Sequence, residues 1–132
     1  MSPVQSLVLV VEDDPVLRGF ETNCLREEGF DVVGVEDGLP ALTVAARRQP
    51  SVILLDMHTP RMSGEEFARA YHALPGPHAP LVLVSADRAI ATAAEEMGAD
   101  GFLSKPFDID DLLEVVARHA VSGSGNGDEA LS

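Results

Sequence analysis

Short apolar runs alternate along the chain with longer segments in which apolar residues recur at helical spacing. Three of the runs are continuous blocks of Val, Leu and Ile, without the alternation of apolar and polar residues that a half-exposed strand shows. Continuous blocks of this length are typical of strands buried on both faces, as in a parallel sheet. The pattern therefore predicts five strands, at Leu7–Val11, Val32–Val35, Val52–Leu55, Leu81–Val84 and Gly101–Ser104.

A segment with helical spacing follows each predicted strand. In the first segment, Pro15 suits the opening turn, where a missing N–H has no consequence, and Gly29 suits the end of the helix. In the last segment, acidic residues occupy the first turn, where the helix dipole favours negative charge. The pattern predicts helices near residues 15–29, 40–49, 63–74, 88–97 and 108–120.

Strand and helix therefore alternate five times, which predicts an α/β fold. We expect a doubly wound, five-stranded parallel sheet with helices on both faces. Short connections and right-handed crossovers leave few topologies, and the flavodoxin-like strand order 2-1-3-4-5 is one of them. This domain is expected to cover residues 1–121, and the Ser- and Gly-rich residues 122–132 predict a flexible acidic tail or the stump of a linker.

The charge of the chain narrows the kinds of partner. Its net charge is −13, from 22 acidic and 9 basic residues, which disfavours direct binding to nucleic acid or to an anionic membrane. The single cysteine, Cys24, cannot form an internal disulfide, so a reducing compartment fits. No stretch approaches the roughly 20 apolar residues that span a bilayer, and no signal peptide is expected. These features predict a cytoplasmic protein without membrane insertion.

Polar residues follow four of the five apolar runs. The first, third, fourth and fifth runs are followed by Glu12–Asp14, Asp56, Ser85 and Lys105, and Lys105 is the only lysine in the chain. In open parallel sheets, ligands bind beyond the carboxyl ends of the strands, so we expect these side chains to meet at one edge. Carboxylates that lie close together repel one another, and a hard cation such as Mg²⁺ would relieve that repulsion.

Four sequence motifs at these strand ends resemble the receiver domains of two-component signalling. They are VVEDDP at residues 10–15, LLDMHTPRMSG at 54–64, VSA at 84–86 and KPF at 105–107. The resemblance extends from about Ser6 to Val121, and the four motifs together in this order are a specific signal. It implies a phosphoacceptor whose Mg²⁺-dependent phosphorylation switches a protein-binding surface, either as a free-standing regulator or as the N-terminal receiver of a longer protein.

The resemblance makes Asp56 the nucleophile and site of phosphorylation. It implies that Asp14, Asp56 and the backbone carbonyl of His58 bind Mg²⁺ directly, and that Asp13 acts mainly through a metal-bound water. The residues alone leave another interpretation open, in which Asp13 or Asp14 caps the helix that begins near Pro15. Capping and metal binding can also coexist.

The same resemblance assigns a cradle for the phosphoryl group. Lys105 would supply a compact positive charge and Ser85 a hydrogen bond. The backbone N–H groups of Met57 and Ala86 would complete the electrostatic stabilisation. Taken singly, the lysine could be a solvated surface residue and the serine a turn residue. The resemblance also implies a cis peptide bond between Lys105 and Pro106.

Three more residues receive roles from the resemblance. Phe102 is the aromatic residue that would turn inward when Ser85 engages the phosphoryl group, although a plain core residue is the alternative. His58 and Asp87 would flank the path of attacking water, which predicts that they tune the lifetime of the phosphoryl group.

The implied partners are a histidine kinase or a histidine phosphotransfer protein upstream. A protein target downstream would bind the face formed by the fourth helix, the fifth strand and the fifth helix. The chain is not expected to act as an enzyme on a separate substrate, because it would catalyse only its own phosphorylation and dephosphorylation.

Three alternatives remain. An aspartyl phosphatase commonly needs a second acid two residues after the nucleophile, where this chain has His58. A flavin or nucleotide binder would need a Gly-rich or hydroxyl-rich phosphate loop after the first strand, where this chain has Glu12–Asp14. A pseudo-receiver would bind its partners without being phosphorylated, and the full set of acids, Ser85 and Lys105 disfavours that interpretation.

Overall fold

The computed structural model describes residues 6–120, in which five strands are each followed by a helix. The strands are β1 (Leu7–Val11), β2 (Asp31–Val35), β3 (Val52–Asp56), β4 (Leu81–Ser85) and β5 (Gly101–Ser104). The helices are α1 (Pro15–Glu27), α2 (Gly38–Arg47), α3 (Gly64–His72), α4 (Ile90–Met97) and α5 (Ile109–His119). Every predicted element is present. The predicted tail at 122–132 lies outside the described residues.

The sheet is parallel and its strand order is β2-β1-β3-β4-β5, which confirms the predicted fold. β1 is paired with β2 on one side and with β3 on the other, so Val8 lies opposite both Val32 and Val52. The order of strands therefore reverses between β1 and β3. In doubly wound sheets, the crevice beyond the carboxyl ends of the strands at such a point is where ligands bind.

Helices cover both faces of the sheet because alternate residues of each strand point to opposite sides. Val8 and Val10 of β1 face the layer that contains α1 and α5, whereas Leu9 and Val11 face the layer that contains α2, α3 and α4. All five residues of β1 are buried, which is why this strand reads as a continuous apolar block.

Side-chain caps fix where four of the helices begin. Each cap accepts a hydrogen bond from a backbone N–H of the first turn, which would otherwise lack a partner. The caps of α1, α2, α3 and α5 are Asp14, Asp37, Ser63 and Asp108, and the last two form capping boxes with Glu66 and Asp111. These caps keep the connections at the carboxyl edge of the sheet short. None of the helices within residues 6–120 is long and apolar enough to cross a membrane.

Candidate functional site

Three carboxylates meet at the reversal point of the sheet. Glu12 and Asp13 follow β1, and Asp56 is the last residue of the neighbouring strand β3. One carboxylate oxygen from each residue lies within 4.8 Å of the other two. Glu12 and Asp56 are buried, whereas Asp13 is exposed, so the cluster reaches from the interior to the surface.

Glu12 contributes a buried carboxylate whose oxygens are in different environments. Its Oε2 accepts a hydrogen bond from the Asp14 N–H at 3.1 Å. Its Oε1 is buried and forms an ion pair with Lys105 Nζ at 3.2 Å. Burial, together with the charge of Asp56, raises the pKa of Glu12 to about 7, although the Asp14 N–H and Lys105 act to lower it. Glu12 therefore supplies a carboxylate to the cluster from its buried side.

Lys105 places a positive charge against two of these acids. Its Nζ lies 3.2 Å from Glu12 Oε1 and 3.7 Å from Asp56 Oδ2, and 25% of its side chain is exposed. Burial acts to lower the pKa of Lys105, but the charges of Asp56 and Glu12 outweigh it, so the pKa lies above its usual value. The Lys105 N–H donates to the Ser85 carbonyl at 2.9 Å, and the Lys105–Pro106 peptide bond is cis, as expected.

Ser85 ends β4, the strand beside the one that carries Asp56, and it is buried. Its Oγ accepts a hydrogen bond from the Asp87 N–H at 3.0 Å. Asp87 in turn accepts one from the Ala89 N–H at 2.9 Å, which shapes the loop into α4. Because a hydroxyl both donates and accepts, the Ser85 proton remains able to bind an anionic ligand.

The backbone donors near Asp56 differ from the expected pair. The Met57 N–H donates to the Val84 carbonyl at 3.2 Å and therefore continues the β3–β4 ladder. The N–H of His58 lies 3.1 Å from Asp56 Oδ1 instead. The structure thus corrects the assignment of Met57, because its N–H is already bonded within the sheet. Ala86, the other expected donor, directly follows Ser85.

Asp14 is also placed differently from the expectation. Its Oδ1 accepts from the N–H groups of Val16 at 3.0 Å and Leu17 at 3.5 Å, so it is the N-cap of α1. Its carboxylate is not part of the three-acid cluster, which contains Glu12 instead. The prediction that Asp14 is a direct metal ligand is therefore wrong for this arrangement, and the capping interpretation fits it.

The loop between β3 and α3 folds back onto the end of β3, next to Asp56. A Cβ atom added at Gly64 would lie 2.8 Å from the Asp56 carbonyl oxygen and 3.0 Å from Met57 Cα, so only glycine fits there. Arg61 adopts a positive φ of 58° and its Nε donates to Asp37 Oδ2 at 2.8 Å. The sequence analysis missed this Arg61–Asp37 pair, and its only local signal is the Asp-Gly sequence at the start of α2.

Glu21 is a second buried acid that the sequence analysis missed. It lies on α1 with 1% of its surface exposed, and its Oε2 has no hydrogen-bond partner within the part of the chain that the structure describes. Burial, together with the charge of Glu12, raises the pKa of Glu21 to about 8. The helical spacing from Leu17 and Leu25 is the signal that could have placed it on the buried face.

The remaining predicted residues lie around this site. Phe102 of β5 is 44% exposed, which contradicts the alternative of a plain core residue. His58 and Asp87 are exposed in the loops that follow β3 and β4. Their exposure is compatible with contact to water, but it does not test a role in dephosphorylation.

The donor set of the cluster suits a hard divalent cation. It offers carboxylate oxygens from Glu12, Asp13 and Asp56 that lie within 4.8 Å of one another. Mg²⁺ prefers oxygen ligands and keeps several waters, which an open cluster of this kind permits. The residues present therefore fit Mg²⁺.

The sequence model of the family described as "Response regulator receiver domain" matches residues 8–117. The chain is 37% identical over 131 residues to the DNA-binding response regulator MtrA of Mycolicibacterium smegmatis, a match that covers 98% of this chain and 55% of the relative. It is 38% identical over 116 residues to the response regulator protein FleR of Pseudomonas aeruginosa, covering 86% of this chain and 24% of the relative. The chain thus spans about half the length, or less, of these relatives.

Solved structures give the same likeness. The chemotaxis response regulator CheY4 of Vibrio cholerae matches with a TM-score of 0.81 at 28% identity, covering 87% of this chain and 98% of that chain. The receiver domain of the sensor histidine kinase PA1611 of Pseudomonas aeruginosa matches with a TM-score of 0.79 at 29% identity. This match covers 89% of this chain and 98% of that chain. That structure is described with a magnesium ion coordinated in its active-site cleft.

Proposed function

Because the chain belongs to the family of response regulator receiver domains, we propose that Asp56 receives a phosphoryl group in a two-component system or phosphorelay. The observation that carries this proposal is the position of the Asp56 carboxylate. It is buried at the carboxyl edge of the sheet, beside two further acids and 3.7 Å from Lys105 Nζ. A carboxylate in this setting has both a cation site and a positive charge next to it.

The two oxygens of Asp56 are in different positions for nucleophilic attack. Oδ1 accepts the His58 N–H, and Oδ2 is the oxygen on the Lys105 side. We propose that a carboxylate oxygen attacks the phosphorus of a phosphohistidine or a small phosphodonor. The bond from phosphorus to the donor nitrogen or oxygen breaks, and the leaving group departs with that electron pair. The product is an aspartyl phosphate, which water later hydrolyses to restore Asp56 and release inorganic phosphate.

The proposed magnesium site uses Asp13, Asp56 and the backbone carbonyl of His58, with Glu12 in the place first given to Asp14. Support comes from the three carboxylate oxygens that lie within 4.8 Å of one another. When bound, Mg²⁺ would offset the negative charge of the acids and of the incoming phosphoryl group. The likeness to the magnesium-bound receiver of PA1611 supports this choice of metal.

The residues around Asp56 stabilise charge on the phosphoryl oxygens in this proposal. Lys105 would exchange its contact with Asp56 for one with a phosphoryl oxygen, and Ser85 would donate its hydroxyl proton. The N–H groups of Ala86 and His58 are the proposed backbone donors. All four groups lie at the ends of β3, β4 and β5, so the sheet holds them in place before the donor binds.

We propose that Ser85 and Phe102 transmit phosphorylation to the surface. Ser85 would move toward the phosphoryl group, and Phe102 would turn inward into the space that this movement opens. Support comes from the 44% exposure of Phe102, which shows that its side chain is turned outward in this structure. The proposed output face consists of α4, β5 and α5, where a downstream protein would bind.

The proposed upstream partner is a histidine kinase or a histidine phosphotransfer protein. MtrA is described as DNA-binding, but this chain matches only about half of it, so that activity is not carried over. The net charge of −13 supports the absence of direct nucleic-acid binding by this part. We further propose that the domain catalyses only its own phosphorylation and dephosphorylation, and that it works in the cytoplasm.

The test is the intact mass after incubation with phosphoramidate or acetyl phosphate and Mg²⁺. We expect wild type to gain one phosphoryl group only when Mg²⁺ is present. Asp56→Asn should gain none, whereas the control Asp110→Asn, an exposed acid on α5, should behave like wild type. A folded wild-type protein that binds Mg²⁺ but gains no mass would support the pseudo-receiver instead.

A further inference from the structure

Arg18 connects helix α1 to the loop that carries two of the clustered acids. Its Nη1 donates to the Glu12 carbonyl oxygen at 2.7 Å and lies 3.4 Å from the Asp13 carbonyl oxygen. Its backbone N–H donates to the Asp14 carbonyl at 2.8 Å. One residue therefore binds the main chain at all three positions of the acidic segment.

Gly34 makes the path of the Arg18 side chain possible. A Cβ atom added at Gly34 would lie 3.2 Å from Arg18 Cγ, 3.4 Å from Arg18 Cδ and 2.9 Å from Thr22 Cγ2. Gly34 lies in β2, opposite Val10 of β1, so its Cα is next to the strand that leads into the acidic loop. Glycine inside a strand often marks a close approach of another group, and here two side chains of α1 approach it, Thr22 most closely and then the stem of Arg18.

The acidic loop needs such a restraint because its side chains repel one another. Glu12, Asp13 and Asp56 bring carboxylate oxygens within 4.8 Å, and a free loop would relax by moving them apart. Hydrogen bonds from a charged donor are stronger than neutral ones, so the guanidinium is well suited to hold carbonyl groups in place. A loop held in its binding geometry loses less entropy when a cation binds.

We propose that Arg18, lying across Gly34, is a positioning residue that holds Glu12 and Asp13 in the arrangement that binds a divalent cation. This inference rests on the proposed magnesium site. It makes an unusual prediction, because a guanidinium near a cation site should by its charge alone weaken cation binding. Positioning and charge therefore have opposite effects on the affinity for Mg²⁺.

The experiment measures the dissociation constant for Mg²⁺ from the amide shifts of Asp13 and Asp56 in ¹⁵N NMR spectra. We expect Arg18→Ala to weaken binding about tenfold, as is common when a group that orients metal ligands is removed. The dissociation constant of Arg18→Lys should lie between those of wild type and Arg18→Ala, because lysine keeps the positive charge but lacks the planar guanidinium. The control Arg69→Ala removes an exposed arginine of α3 and should leave the affinity unchanged.

A second variant tests the path across Gly34. Gly34→Val is made in a Thr22→Ser background, because its Cβ would otherwise meet Thr22 Cγ2 at 2.9 Å, and there it should displace the Arg18 side chain. Relative to Thr22→Ser alone, we expect the same loss of Mg²⁺ affinity as in Arg18→Ala, and no further loss when Arg18→Ala is added, because both changes remove one interaction. The proposal would be overturned if the losses of Mg²⁺ affinity caused by Gly34→Val and by Arg18→Ala add when the two changes are combined. It would also be overturned if Gly34→Val causes no loss of Mg²⁺ affinity.

The outcomes separate this inference from the proposed function. If wild type shows no Mg²⁺-dependent shifts at Asp13 and Asp56, the magnesium site itself is wrong. If wild type binds Mg²⁺ and Arg18→Ala binds it equally or more tightly, the site stands and the positioning role fails. A native spectrum of each variant without Mg²⁺ shows that the fold is intact, and Arg18→Lys decides the matter if Arg18→Ala does not fold.

Discussion

Glu21 is an acid on a helix face that otherwise packs into the protein interior. It lies one turn before Leu25, which is fully buried, and its Oε2 has no hydrogen-bond partner within residues 6–120. Burial, with the neighbouring Glu12 and Asp56 charges, raises the pKa of Glu21 to about 8, although Lys105 acts to lower it. Glu21 therefore holds a proton at neutral pH, and the protein keeps a neutral carboxyl group behind its charged cluster.

This proton makes stability depend on pH. The pKa of Glu21 rises from an ordinary 4.5 to about 8 on folding, so between these values the unfolded chain binds fewer protons. The stability linked to Glu21 is therefore present below about pH 4.5 and is lost as the pH rises to about 8. A shift of this size corresponds to roughly 5 kcal/mol at most, since one pKa unit is about 1.4 kcal/mol.

Glu21→Gln removes that dependence, because the amide is neutral at every pH and close to the acid in shape. Urea unfolding without Mg²⁺ should show the variant gaining a few kcal/mol relative to wild type between pH 5 and pH 9. Glu12 titrates in the same range and its charge contributes to the raised pKa of Glu21, so the comparison is repeated in a Glu12→Gln background. The control is Glu96→Gln, which changes an exposed acid of α4. The prediction would be contradicted if the free energy of unfolding changed with pH in parallel for Glu21→Gln and wild type.

Two exposed side chains are expected to set how long the phosphoryl group lasts. His58 and Asp87 are exposed in the loops after β3 and β4, and the resemblance to receiver domains implies that these positions flank the path of water toward Asp56. We expect His58→Ala and Asp87→Ala to change the rate of dephosphorylation several-fold, because each removes a group that can orient water. The measurement is the decay of the phosphorylated mass after the donor is removed. We would abandon this role if both variants decayed at the wild-type rate.

At the scale of elements, the loop between β3 and α3 is held against the end of β3, because the backbone at Gly64 lies close to the backbone at Asp56 and Met57. The Gly64 N–H donates to the Met57 carbonyl at 3.2 Å, and a Cβ at Gly64 would meet the Asp56 carbonyl oxygen. Both contacts are to backbone, which cannot move aside as a flexible side chain can. The loop geometry and the position of Asp56 therefore depend on each other.

Gly64→Ala is expected to displace this loop. Overpacking of this kind destabilises by roughly 1–3 kcal/mol, and we also expect slower phosphorylation from a small phosphodonor. Gly19→Ala in α1 is the matched control, because a Cβ there meets nothing within 4 Å and alanine favours the helix by about 0.5–1 kcal/mol. Chemical unfolding and the rate of mass gain measure the two effects. Equal rates for both variants would argue against a coupling of loop and acceptor.

The elements could be predicted because their signals are local. Strands buried on both faces, such as β1, read as continuous apolar runs. Asp14 as a ligand and Met57 as a donor were wrong for a common reason, since the sheet continues one residue beyond these apolar runs. The Glu12 N–H still donates to the Val35 carbonyl at 2.9 Å, and the Met57 N–H to Val84 at 3.2 Å.

After β1, this continuation shifts the clustered acids by one residue, from Asp13 and Asp14 to Glu12 and Asp13. Glu12, although it follows the apolar run, still belongs to the sheet and carries its carboxylate into the cluster. Asp suits both a cap and a metal ligand, so residue type could not decide between Asp13 and Asp14. Arg61 contacts Asp37, which is distant in sequence. Arg18 contacts the nearby Glu12 carbonyl, but only because of the path that its side chain takes. No local sequence pattern predicts either contact.

At the scale of the whole molecule, the protein carries a large excess of negative charge, part of it in the three-acid cluster. The chain carries a net charge of −13, and its buried polar residues include Glu12 and Asp56. Charge of one sign destabilises a compact state through self-repulsion. A cation that binds the cluster should therefore stabilise the fold as well as prepare the site.

We expect Mg²⁺ to raise the melting temperature more than NaCl of equal ionic strength. Binding at ten times the dissociation constant would add about 1.4 kcal/mol, which is a shift of a few degrees for a domain of this size. Asp13→Asn should abolish the extra rise in melting temperature with Mg²⁺, because it removes one carboxylate of the cluster. Asp13 is exposed, so the change leaves the core intact. An equal extra rise in wild type and Asp13→Asn would show that Mg²⁺ stabilises the fold at a site that does not use Asp13, against the proposed cluster.

The position of Lys105 has a consequence for covalent chemistry at amines. It is the only lysine in the sequence, and its Nζ lies beside both Glu12 and Asp56. Acylation of its amine would remove the positive charge from the proposed phosphoryl-binding site. Because no other lysine side chain competes for the reagent, the fraction of lysine acylated in a sample equals the fraction of molecules that have lost this charge. The mass of the proteolytic peptide that contains Lys105, measured apart from the N-terminal amine, would thus report how much of a sample is chemically altered at this site.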